Sequence, residues 1–126
     1  MAKKEYTYRG KNVSELQGLS ETEFMKLITS RERRTIKRGY NPTGKLSILK
    51  IQKKKVAKTR SREIVITPNM IGKTISVHRG NSYVEIIIFE DMIGHRLGEF
   101  VMCNKKVTHG KAGLGSTGGS KTETRK

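Results

Sequence analysis

Between Arg31 and Arg62 the chain carries thirteen Lys and Arg residues against a single acid, Glu32, a net of +12 within a 126-residue chain whose total is +16. A solvated surface needs only a modest excess of one sign, and this segment goes far beyond it. Residues 63–100 are different, with three basic residues against five acidic ones. The charge is therefore concentrated, and concentration of this kind repels itself unless a polyanion lies nearby. Nucleic acid is the commonest polyanion, and a pI near 10.3 agrees with a nucleic-acid partner without separating RNA from DNA.

With 33% hydrophobic residues, the chain can build one small domain and not two. No segment approaches the roughly 20 apolar residues of a membrane span, and Met1-Ala2-Lys3-Lys4-Glu5-Tyr6 lacks the apolar core of a signal peptide, so a soluble intracellular protein is expected, with no membrane partner. Cys103 is the sole cysteine, which excludes an intrachain disulfide and a Cys-based zinc site within one chain. It is expected to be a semi-buried thiol without catalytic activation.

Ser20-Glu21-Thr22-Glu23 has the form of a capping box and predicts a helix start. Phe24, Leu27, Ile28 and the stem of Arg31 fall on one face, and basic residues gather toward the end, where Gly39 stops the helix. Tyr40 to Gly44 reads as a turn or loop around Pro42. Residues 45–58 read as a second helix, with Leu46, Leu49 and Val56 sharing a face. From Arg62 the pattern changes to short strands: Glu63 to Thr67, Lys73 to His78 and Tyr83 to Phe89. Arg79-Gly80-Asn81-Ser82 joins the last two as a hairpin, since Gly and Asn tolerate positive φ.

Asp91 is read as the cap of a short helix through Leu97 that ends at Gly98. The echo between Asn69-Met70-Ile71-Gly72 and Asp91-Met92-Ile93-Gly94 reads as one local turn solution used twice. Each copy is taken as an Asx cap, two buried apolar residues and a glycine. After Val107 the chain becomes rich in Gly and Ser, with too little to bury to fold alone. The expected organisation is an N-terminal extension at 1–19, an α+β domain at 20–107 and a disordered Gly/Ser/Lys tail at 108–126. The domain is expected to place N-terminal helices before a short antiparallel β-sheet and a short helix.

Several strings mimic chemistry. Gly113-Leu114-Gly115-Ser116-Thr117-Gly118 spells a dinucleotide fingerprint, and Gly115 to Thr122 comes within one residue of a P-loop. Each motif needs a buried strand before it and a helix after it, and a Gly/Ser tail supplies neither. His78, His95 and His109, with Glu85, Glu90 and Asp91, match no metal-ligand spacing, and no Ser-His-Asp or paired-carboxylate arrangement stands out. No enzyme activity, cofactor, metal or small-molecule substrate is therefore expected. Aromatic content of 6% with no Trp argues against a platform of stacked bases.

The block from Arg60 through Gly80, containing Pro68-Asn69-Met70-Ile71-Gly72-Lys73, strongly resembles the family of ribosomal small-subunit protein nineteen. The likeness continues through Tyr83-Val84-Glu85 and Asp91-Met92-Ile93-Gly94-His95-Arg96-Leu97-Gly98-Glu99-Phe100. Tyr6-Thr7-Tyr8-Arg9-Gly10, the run from Arg31 to Gly39, and His109 to Thr117 look like the archaeal and eukaryotic branch. The extreme end departs from the family pattern, closing on Gly118-Gly119-Ser120-Lys121-Thr122-Glu123-Thr124-Arg125-Lys126.

The resemblance implies a cytoplasmic ribosomal protein of the small-subunit head, bound to the 3′ major domain of the rRNA. It further implies protein thirteen as a neighbour and a tail directed toward the decoding region and A-site tRNA. Within the matched block, Arg62, Lys73, His78, Arg79, Asn81, His95 and Arg96 are expected rRNA contacts. Arg31, Arg33, Arg34, Lys37, Arg38, Lys53, Lys54, Lys55, Lys58 and Arg60 are expected contacts on charge alone. Two other classes share features with this chain: a chromatin-like, sequence-independent duplex DNA binder, and a metal-dependent nuclease, which would need clustered carboxylates.

Overall fold

The computed structural model describes residues 6–104 and Val107. The expectation of a disordered tail at 108–126 falls outside these residues. The architecture is α+β. Two short strands, β1 (Thr7–Tyr8) and β2 (Lys11–Asn12), form a tight hairpin, and four helices follow: α1 (Val13–Gly18), α2 (Glu21–Leu27), α3 (Ser30–Arg38) and α4 (Pro42–Lys53). Strands β3 (Val56–Thr59), β4 (Thr74–His78) and β5 (Tyr83–Ile87) then make a three-stranded sheet in the order β3-β4-β5. The sheet is mixed: β3 runs parallel to β4, and β4 antiparallel to β5. This differs from the expected antiparallel sheet: α4 ends at Lys53, so residues 56–59, expected to be helical as far as 58, are extended and pair in parallel with β4.

The capping box at Ser20 is present. The Ser20 amide donates to Glu23 Oε2 at 3.0 Å, and the Glu23 amide donates to Ser20 Oγ at 3.4 Å. The Ser20 hydroxyl, and then its amide, hold the Glu23 carboxyl below its ordinary pKa.

The single long helix expected from Ser20 to Arg38 is broken at Ile28 and Thr29, both in extended conformation. Arg33 explains the break. Its guanidinium reaches back to donate to the carbonyls of Met25 (2.7 Å), Lys26 (3.1 Å) and Ile28 (3.0 Å), satisfying the exposed C-terminal end of α2. Ile28 then turns inward with Leu16, Phe24 and Ile93 to form the smaller of two cores. Gly39 ends α3 at φ +79°, as expected.

The loop around Pro42 is shorter than read. Asn41 precedes α4 and Pro42 occupies its first turn, where the missing amide costs nothing, so Thr43 and Gly44 are helical. The helical face expected to be apolar is inverted. Leu46 and Leu49 are exposed, whereas Gly44, Ser47 and Ile51 face inward. Gly44 is needed there because a Cβ would stand 2.9 Å from Tyr40 Cβ. The helix ends at Lys53, and Val56, expected on its apolar face, instead begins β3 and is exposed.

The larger core gathers Ile51, Ala57, Ile64, Ile66, Ile75, Val77, Ile88 and Leu97. Ile64 to Ile66 is fully buried but forms only a single bridge, Val65 with Arg96, in place of the expected strand. Ile66 donates to the His95 carbonyl at 2.8 Å, and the Gly94 and Leu97 amides donate to the Ile66 and Ile64 carbonyls. Tyr40 Oη accepts from the Val65 amide at 3.2 Å, while burial pushes the Tyr40 phenol up.

The echoed tetrapeptides adopt one shape. Each is a 3₁₀ turn, Pro68–Met70 or Glu90–Met92, followed by an extended Ile and a Gly at φ +76° or +81°. Lys73 and His95 close these turns by donating to the Met70 and Met92 carbonyls, the geometry of a type II turn. Asn69 and Asp91 make no cap, which corrects that part of the reading, and only Met70 and Ile93 of the four apolar residues are fully buried. The helix expected from Asp91 to Leu97 is replaced by two 3₁₀ turns, the second at Leu97–Phe100 with Gly98 inside it. Cys103 is exposed, not semi-buried.

The β4–β5 hairpin forms as expected, with His78 paired to Tyr83 and Gly80 at φ +115°. A Cβ at Gly80 would meet no atom within 4 Å, so only backbone strain opposes a side chain there. Gly80→Val is expected to lower stability by about 1 kcal/mol, read by thermal unfolding.

Candidate nucleic-acid interface

The cations divide into those held by the fold and those left outside it. Arg33, Arg62 and Lys73 belong to the first group. Arg62 donates to the carbonyls of His78 (3.0 Å), Gly98 (2.7 Å) and Val101, tying the end of β4 to the 97–101 turn. Lys73 donates to the Ile51 and Gln52 carbonyls at 2.9 and 3.2 Å, closing the last turn of α4. All three, expected to touch RNA, donate to backbone carbonyls of the fold.

Arg31, Arg34 and Arg38 fall at i, i+3 and i+7 of α3, so their side chains emerge along one face. With Ser30, Thr35 and Arg96 they line a shallow, open basin. Beneath it lies Glu32, the one acid of the basic segment, buried at 6% exposure. Glu32 Oε1 stands 3.5 Å from Arg96 Nε, and Arg96 Nη2 donates to Thr35 Oγ1 at 2.9 Å. The Glu32 contact is Coulombic in kind, since Arg96 Nε makes no hydrogen bond. Arg96, from a loop far along the chain, is thereby fixed against α3. Guanidinium groups in such an array present planar forks that match phosphate oxygens.

Lys37, Lys53, Lys54, Lys55, Lys58 and Arg60 are exposed and make no ion pair among the described residues. Lys54 and Lys55 precede β3, Lys58 lies on it and Arg60 follows it, which makes this sheet edge basic along its length. Arg60 Nε donates to Tyr83 Oη at 3.3 Å, and Lys58 Nζ lies 5.8 Å from the Tyr83 ring centroid. His78 packs edge-on against the same ring at 4.9 Å.

Arg79 is half-buried and donates to Ser82 Oγ at 2.8 Å, while Asn81 is exposed at the tip of the hairpin. His95 sits apart, its Nδ1 at 2.8 Å from Glu99 Oε2 and its ring edge against Phe100. No cluster of His, Cys, Asp and Glu able to hold a metal occurs among the described residues, and no described helix is long and apolar enough to cross a membrane.

Sequence reasoning missed Ser30, Thr35 and Tyr83. Tyr83 could have been placed opposite His78 from the hairpin length, but Lys58 and Arg60 join it only once β3 is known to pair beside β4.

Comparison with known proteins agrees with the resemblance seen in the sequence. The family model described as ribosomal protein S19 matches residues 23–109. The small ribosomal subunit protein uS19 of the archaeon Methanococcoides burtonii is 42% identical over 120 residues, covering 94% of this chain and 88% of that relative. The chain belongs to the ribosomal protein S19 family.

Proposed function

We propose that this protein binds rRNA of the small-subunit head through the arginine basin on α3 and the basic edge of β3. As a family member it is a structural ribosomal protein of the small subunit, acting in translation within the ribosome. The observation that carries the proposed contact is the basin: Arg31, Arg34 and Arg38 on one helical face, with Arg96 held among them by Glu32 and Thr35. Folded RNA offers phosphates at fixed spacing and few readable base edges, so guanidinium groups arrayed along one helical face suit its shape.

The resemblance supports the finer reading, in which the bound rRNA is the 3′ major domain, the ribosome is cytoplasmic and protein thirteen is a neighbour. Around Ile87 and Phe89 the surface is apolar and flanked by Glu90 and Asp91, a composition suited to a protein neighbour and unsuited to RNA. The tail, with Lys111, Lys121, Arg125 and Lys126, is proposed to reach toward the decoding site and A-site tRNA.

Affinity for a head-domain rRNA fragment is expected to fall with salt, log K against log salt having a slope of several units. Arg34→Gln and Arg38→Gln should each reduce that slope by about one. A slope unchanged in both variants would remove the basin from the interface. Duplex DNA of equal length serves as the comparison, and equal affinity for it would favour the chromatin-like alternative.

A further inference from the structure

The sheet has one face against the core and one facing away from it, exposed at Lys58, Tyr83 and Glu85 but closed over Ser76 of the central strand, which is 1% exposed. Ala57, Thr59, Ile75 and Val77 point into the core, so the alternate positions emerge on the other side. Strand register sets Lys58, Ser76 and Glu85 in one row and His78 beside Tyr83 in the next. Tyr83 remains 40% exposed on this outer face, in a chain with few aromatics.

Two cations converge on that ring, Arg60 through the hydroxyl and Lys58 over the face. His78 Nδ1 accepts from the Gly80 amide at 3.1 Å, which holds the imidazole beside Tyr83. Glu85 is the one acid in these rows, and it pairs with Ser76 Oγ at 3.5 Å, away from the Arg60 end.

We propose that this end of the outer sheet face docks a single unpaired nucleotide of an RNA strand. Its base stacks on Tyr83 and its flanking phosphates are taken by Lys58 and Arg60. The inference rests on the RNA-binding reading above and names a second, chemically different contact. The α3 basin offers cations without an aromatic surface and suits phosphates of a folded helix. The Tyr83 site offers a part-exposed aromatic ring with two cations beside it on the outer side of the sheet, the combination that takes a base out of a single strand. The basic edge of β3 continues the path for the sugar-phosphate backbone through Lys55 and Lys54.

The test uses the full chain with Tyr83→Trp, whose indole is then the protein's sole Trp. Titration with an oligoadenylate strand is expected to quench its fluorescence, and a blunt, fully paired RNA duplex of the same length, which has no unpaired nucleotide, should not. Tyr83→Leu should weaken oligoadenylate binding about tenfold while leaving duplex affinity and its salt slope unchanged. Tyr83→Phe, which keeps the ring and loses the Arg60 hydrogen bond, should retain most of the affinity. Thermal unfolding of each variant separates loss of the site from loss of the fold.

Indole emission unmoved by bound oligoadenylate, or full affinity in a folded Tyr83→Leu variant, would overturn the proposal and leave the face to a protein neighbour. If binding of the RNA duplex by the basin persists in that case, the rRNA-binding reading stands without this site. If the wild-type chain binds neither RNA, both fall.

Discussion

Arg62→Lys is expected to lower stability by about 2 kcal/mol, although the charge is kept. The Arg62 fork serves three carbonyls, those of His78, Gly98 and Val101, from one half-buried position. An ammonium group has a shorter reach and no fork, so it can satisfy one of the three and leaves the others short of a donor. Hydrogen bonds to charged groups contribute about 1.5–3 kcal/mol each, and partial hydration of the freed carbonyls offsets some of that loss.

The chain also packs tightly on the Arg62 stem. A Cβ on Gly98 would stand 3.0 Å from Arg62 Cβ and 3.0 Å from its carbonyl, so the two segments are held in close approach. For a domain of this size the midpoint of thermal unfolding should fall by about 10 °C. The salt slope for rRNA should not change, because Arg62 neutralises no phosphate in this reading. A variant as stable as the parent, with a shallower salt slope, would return Arg62 to the RNA interface.

Glu32→Gln should destabilise the free protein by about 2–3 kcal/mol and at the same time tighten RNA binding at low salt. Glu32 is the counter-charge to Arg96, whose side chain is 19% exposed and whose Nε makes no hydrogen bond. Removing one partner of such a pair strands the other charge in a partly dry site, which costs more than the pair contributes when intact. The basin meanwhile loses its only acid, so its potential toward phosphate rises.

The opposite signs are the test. Chemical unfolding reads the first and a low-salt RNA titration reads the second, and a stability change below about 0.5 kcal/mol would mean that solvent already screens the pair. Combining Glu32→Gln with Arg96→Met should recover much of the lost stability, since no charge is then stranded.

The amino-acid sequence by itself determined that this chain presents a strongly basic surface suited to a polyanion, because the thirteen basic residues of 31–62 face a single acid, Glu32. It also determined the start of α2, the stop at Gly39 and the β4–β5 hairpin. Those features depend on a few adjacent residues: a Ser–Glu capping box, and glycines that adopt φ +79° and +115°. The family was legible for the same reason, since its motifs are contiguous strings.

Tertiary structure alone decided which cations face outward. Arg33, Arg62 and Lys73 look like Lys37 or Arg60 in the sequence, but their side chains reach carbonyls brought near by folding. The Arg62 partners, for example, lie as far along the chain as Val101. The break between α2 and α3, the inverted face of α4 and the parallel pairing of β3 with β4 were hidden likewise, because each depends on what packs against the segment. Tyr83 illustrates the limit: its exposure was readable from strand alternation, but the convergence of Arg60, Lys58 and His78 upon it required the sheet. Local rules act over a few residues, while a long cationic side chain selects its partner by distance in space, and only the assembled core sets that distance.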